Sequence, residues 1–178
     1  MSKYLFTPFD IALFFKYSDF TLSDEKYIRD DIWENRYEIL EPKYRNNKYK
    51  FIKQVNNYIQ MIDDNYVDEF DAINRTLSDL GSDYEFGEYE EDENYIEAYF
   101  RLMKLKLSYL EGCDYIRLKL RTLLRNFGYK RRTEKLVLRI NRSVKKLKLE
   151  CSLRCREKCN IGEISLDDMI VIRLKSSR

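Results

Sequence analysis

The chain has 178 residues, 44% hydrophobic and 15% aromatic, with 5 Gly and 2 Pro. That is enough apolar surface to offset the ordering entropy of one substantial core or two small ones, which excludes an unstructured chain. It has no His, which excludes Ser-His-Asp and Cys-His catalysis, and its net charge of +2 hides a polarity: residues 1–100 hold 11 Lys and Arg against 23 Asp and Glu, residues 101–178 hold 22 against 8.

The N-terminal aromatics Phe6, Phe9, Phe14, Phe15 and Phe20 surround a short helix expected over Asp10 to Tyr17, buried on more than one side. The longest early apolar run, Ile11 to Phe15, is far short of the ~20 residues a bilayer requires, and nothing reads as a signal peptide. The expectation is no membrane and a cytoplasmic or other reducing intracellular compartment, with the four Cys as thiols.

Ser23 or Asp24 can cap a second helix to about Leu40, with Ile28, Ile32, Trp33, Tyr37 and Leu40 along one face and Pro42 as its stop. Lys48 to Ile62 repeats apolar residues at Phe51, Ile52, Val55, Tyr58, Ile59 and Ile62, and Tyr66 to Leu80 at Val67, Phe70, Ile73 and Leu77 before Gly81. Residues 1–81 thus read as an acidic helical region. Its aromatics, Trp33 included, suit a core; displayed outward they would instead suit a partner or a homodimer.

Residues 82–94 form an acidic linker in which no apolar face can be drawn. It reads as a solvated loop. Alternatively Glu85, Glu88, Glu90, Glu91, Asp92 and Glu93 make an acidic strap that mimics nucleic acid and binds a protein partner, or competes with phosphates for the basic half.

The basic region, 95–178, opens with a helix from Tyr95 to Glu111, burying Ile96, Tyr99, Phe100, Met103, Leu107 and Leu110 and ended by Gly112. Asp114 caps a helix expected from Tyr115 to about Asn126, closed by Gly128. Thr133 caps a third, Glu134 to about Lys148, with a core stripe at Leu136, Ile140, Val144 and Leu147 and a basic stripe at Lys135, Arg139, Arg142 and Lys146. Asn141 and Lys145 flank that stripe, and Lys130, Arg131 and Arg132 occupy the turn before it. The period then falls to two over Leu149 to Arg156 and again over Met169 to Leu174, giving two strands.

Helix, tight turn, helix, strand, loop, strand over about residues 95–175 resembles the winged helix-turn-helix fold. The resemblance implies that Glu134–Lys148 is the helix laid in a DNA major groove and Glu157–Asp168 the wing, where Glu163, Asp167 and Asp168 are unfavourable beside phosphates.

Cys151, Cys155 and Cys159, spaced by three residues, invite a metal cluster; without His and with Cys113 remote, they read as structural thiols. Asp30-Asp31 followed by Glu41-Pro42-Lys43 has the look of a nuclease spacing, but such pairs arise readily in a chain that is 36% charged. No Gly-rich phosphate loop is present.

The expectation is a mainly α protein: a helical N-terminal region followed by a winged-helix-like α+β region with a two-stranded β-hairpin, needing no metal or cofactor. The expected function is non-catalytic binding of double-stranded DNA, as a transcriptional regulator or a DNA-contacting subunit. Lys130, Arg131, Arg132, Lys135, Arg139, Asn141, Arg142, Lys145 and Lys146 form the contact. RNA is the other polyanion this surface suits, and a protein-binding adaptor or inhibitor acting through the acidic strap is the alternative.

Overall fold

The structure is a computed structural model describing residues 6–62 and 91–176, with side chains from Ile96 onward in the second stretch. The chain divides into two compact units, Met1–Tyr84 and Glu85–Arg178. The described residues hold six α-helices and one three-stranded antiparallel sheet, so the protein is mainly α.

In the first unit, α1 (Pro8–Lys16) starts at Thr7, whose hydroxyl accepts from the Asp10 N–H while the Asp10 carboxylate accepts from the Thr7 N–H at 2.7 Å. This reciprocal cap satisfies two otherwise orphaned donors. Every residue of α1 from Pro8 to Phe15 is buried, as its lack of a single apolar stripe anticipates. It packs on α3 (Lys48–Met61), where Phe9 meets Tyr58 edge-on at 5.6 Å.

Helix α2 (Leu22–Asn35) is capped by Thr21, not by Ser23 or Asp24; Asp24 is the acidic partner of the same kind of box. It ends at Asn35, five residues before Leu40. Two 3₁₀ turns follow, Tyr37–Ile39 and Pro42–Tyr44, and Leu40 is drawn into a parallel bridge with Phe6. The half-buried Trp33 stacks obliquely on Phe51 at 5.7 Å. Phe6, Phe9, Phe14 and Phe51 are wholly enclosed, each contributing about 1.5–3 kcal/mol by leaving water. The helix expected over Tyr66 to Leu80 lies outside the described residues.

The second unit begins with α4 (Glu91–Tyr109). Ala98, Leu102 and Leu105 are buried along with Ile96, Tyr99, Phe100, Met103 and Leu107, because α4 meets both the last helix and the sheet. Leu110, expected inside, is 38% exposed. Gly112 adopts φ +74, which a side chain would resist.

The expected helix from Tyr115 is a correction. Ile116–Lys119 is a strand, β1, and only Leu120–Asn126 is helical, α5. The first N–H groups of α5 are satisfied from elsewhere: Leu120 donates to Asp168 O and Arg121 to Leu166 O at 2.7 Å. Helix α6 (Glu134–Lys146) follows, with Thr133 accepting from Leu136 N, then β2 (Leu149–Ser152) and β3 (Met169–Leu174).

The sheet order is β1-β3-β2, so the expected two-stranded pairing of β2 with β3 is extended by β1 to three strands. Being central, β3 buries Ile170, Val171 and Ile172 on both faces, while Leu174 at its end is 40% exposed. Strand β2 stops at Ser152; Arg154–Arg156 is a 3₁₀ turn with Cys155 and Arg156 at positive φ.

Candidate nucleic-acid interface

Helix α6 turns its apolar stripe inward: Leu136 and Ile140 are buried, as is Leu147 at its C-cap. The predicted basic stripe is not displayed as a unit. Lys135 and Arg142 are exposed, but Arg139 is only 5% exposed, and Lys146 is drawn inward to Glu97 of α4. The Glu97 carboxylate also accepts from Arg101 at 2.9 Å, and the Lys146 and Glu97 side chains are each 8% exposed. These three groups clasp α4 to the C-terminal half of α6.

Lys104 adds a further tie, donating to the Leu147 carbonyl at 2.6 Å, where the end of α6 leaves acceptors unmet. The physical reason is geometric. At 100° per residue, positions 135, 139, 142 and 146 run along the flank of a helix whose core stripe is 136, 140 and 147. Arg139 and Lys146 lie on the inner side of that flank.

The outward crown of α6 is instead Glu134, Leu138, Asn141 and Lys145, with Lys135 and Arg142 beside it, all exposed. Lys130 and Arg131 are exposed on the turn ahead of Thr133. Arg132 is not with them: its guanidinium donates to the Ile161 and Ile164 carbonyls, at 3.0 and 2.5 Å. It fixes the β2–β3 connection against the helix–helix turn.

That connection carries Arg154, Arg156 and Lys158, all exposed. Two carboxylates that looked unfavourable there are locally engaged. Asp167 pairs with Arg121 at 2.8 Å, and Asp168 accepts from the Ser165 N–H at 2.8 Å. Glu163 is exposed.

No protein-family model matches this chain, and no curated protein and no solved structure is significantly similar to it. What the site can do rests on its own geometry.

Of the acidic strap, Glu85, Glu88 and Glu90 lie outside the described residues. Glu91, Asp92 and Glu93 belong to the first turn of α4 rather than to a loop.

Cys151 and Cys155 do not share a strand, although both fall within the expected strand Leu149 to Arg156, because β2 ends before Cys155, which is exposed. Cys151 faces Ile172 across the sheet, and burial pushes its thiol up to about 12. Burial, then Asp168, raises Cys159. Neutral thiols of this kind are poor ligands and poor nucleophiles. Among the described residues no three His, Cys, Asp or Glu side chains gather as a metal cage requires.

The carboxylates of the nuclease-like spacing are engaged one by one: Asp30 with Lys48 at 2.9 Å, Asp31 with Asn35 and Arg36, Glu41 with Lys43. Among the described residues no helix is long and apolar enough to cross a membrane.

Sequence reasoning missed Glu97 as the shared partner of Arg101 and Lys146. It also missed Leu138, although its place two residues from both Leu136 and Ile140 sets it on the opposite side of a helix.

Proposed function

We propose that the second unit is a winged-helix-type module that binds double-stranded DNA without catalysis, as a transcriptional regulator or the DNA-contacting subunit of a larger assembly. The order α5, turn, α6, β2, loop, β3 supports this reading, and β1 adds an edge strand without disturbing it. The observation that carries it is the outward side of α6. Lys135, Asn141, Arg142 and Lys145 are exposed there, and Glu134 is the helix's single acid, in its first turn.

In this reading Arg142 and Asn141 meet base edges, where bidentate hydrogen bonds discriminate by ~1–3 kcal/mol each. Lys130, Arg131, Lys135 and Lys145 neutralise phosphates and release counterions, which supplies affinity independent of sequence. Arg154, Arg156 and Lys158 offer a second backbone contact from the β2–β3 connection. Arg132 and Lys146 act from within, holding the surface in shape.

The test is a fluorescence-anisotropy titration of a labelled duplex with the full chain and its R142E/K145E variant. Both positions are exposed, so the far-ultraviolet circular dichroism is expected to stay unchanged while affinity falls by at least about a hundredfold, Lys145→Glu turning a phosphate contact into a repulsion and Arg142→Glu replacing a base-edge donor with a carboxylate in a negatively charged groove. Equal affinity for the variant overturns the proposal.

A further inference from the structure

The apolar run of α6, Leu136-Val137-Leu138, sends its members to different sides. Leu136 is buried, whereas Leu138 is 67% exposed, the most exposed large apolar side chain among the described residues of the second unit. Its neighbours one turn away are Glu134, Lys135, Asn141 and Arg142, with Lys145 two turns on, all exposed. A lone exposed leucine needs no explanation by itself. This one stands at the centre of a surface whose charge suits a polyanion, where any ligand that meets Arg142 and Lys145 also meets Leu138.

The major groove presents one apolar group, the C5-methyl of thymine. Three residues along the same face, Asn141 carries a carboxamide that can donate and accept at once, the match for adenine N6 and N7. Both features belong to an A·T pair. A ribonucleic duplex offers neither, since uracil lacks the methyl and the A-form major groove is too deep and narrow for side chains to read.

Resting on the DNA-binding reading, we propose that α6 selects A·T-containing DNA through its major groove, with Leu138 on the thymine methyl and Asn141 on adenine. Glu134, at the N-terminal end of the crown, is unfavourable beside phosphate, so the contact centres on the turns from Leu138 to Lys145.

The test uses the full chain and four duplexes of equal length: alternating dA·dT, its uracil counterpart dA·dU, alternating dG·dC, and an A·U RNA duplex. Thymine is expected to bind about fourfold more tightly than uracil for each methyl covered. Leu138→Ala, at an exposed position, erases that difference with the fold intact, and Asn141→Ala removes about a tenfold preference for dA·dT over dG·dC. Equal binding of the thymine and uracil duplexes, or a thymine preference that survives Leu138→Ala, overturns this inference while leaving DNA binding standing. RNA bound as tightly as dA·dT also overturns it. If no duplex binds even at low salt, the DNA-binding reading falls, and this inference with it.

Discussion

Glu97 shows how a single side chain decides what a charged helix displays. Its carboxylate lies between Arg101 and Lys146 with all three side chains largely withdrawn from water. Two cations at such positions lean on that carboxylate, because removing one member of a buried ionic cluster leaves its charges less compensated. Glu97→Ala is expected to destabilise the protein by about 3–5 kcal/mol in urea unfolding. Arg142→Ala, on the exposed side of α6, is expected to change stability by less than about 0.5 kcal/mol. A loss below about 1 kcal/mol for Glu97→Ala would mean that the cluster behaves as a surface pair. On the DNA-binding proposal the contrast also separates roles: Arg142 is expected to matter for binding and hardly for folding, Lys146 the reverse.

Element boundaries here are set by backbone conformations that the sequence announces unevenly. Gly128, at φ +75, closes α5, and an added Cβ would meet nothing within 4 Å, so the cost of Gly128→Ala is purely conformational, about 1 kcal/mol. Lys148 occupies the equivalent place after α6 at φ 54, without being glycine. Lys148→Gly should therefore raise stability by about 0.5–1 kcal/mol, the strain relieved exceeding the entropy added to the unfolded chain. Thermal unfolding checks both; shifts in the same direction would refute the argument. The ends marked by glycine, near Gly112 and Gly128, were legible in the sequence, as were α3, α6 and β3. Strand β1 was not, because Ile116, Leu118 and Leu120 satisfy a period of two while Ile116, Leu120, Leu123 and Leu124 satisfy 3.6. What tips the balance is pairing with β3, fifty residues on, which local pattern does not contain. The basic side of α6 was half legible for a related reason. Periodicity places residues on a stripe, but whether a flank faces inward depends on what packs against it, here α4 with Glu97.

At the scale of the whole molecule the charges are sorted along the chain. Residues 85–178 hold 22 Lys and Arg against 15 Asp and Glu, a net +7, whereas the full chain is only +2. A polyanion approaching α6 feels the summed field of all these charges as well as the few it touches. Five cations stand exposed on or beside α6: Lys130, Arg131, Lys135, Arg142 and Lys145. With four of them, Lys130, Arg131, Lys135 and Lys145, on phosphates, log K should fall against log salt with a slope of about −3 to −4. The 85–178 fragment is a compact unit of its own and begins ahead of α4, so it keeps Glu97 and the clasp on α6. It should bind duplex DNA more tightly than the full chain at low salt, because it has shed a net acidic segment that repels phosphate. Long-range repulsion is screened by salt, so on this account the gap should close as the Debye length shrinks to about 8 Å at physiological ionic strength. Parallel salt titrations of the two proteins by fluorescence anisotropy decide the matter. A fragment that binds no better at low salt would show that the acidic half lies outside the field the DNA senses; a gap that persists at high salt would point to direct masking of α6 rather than long-range repulsion.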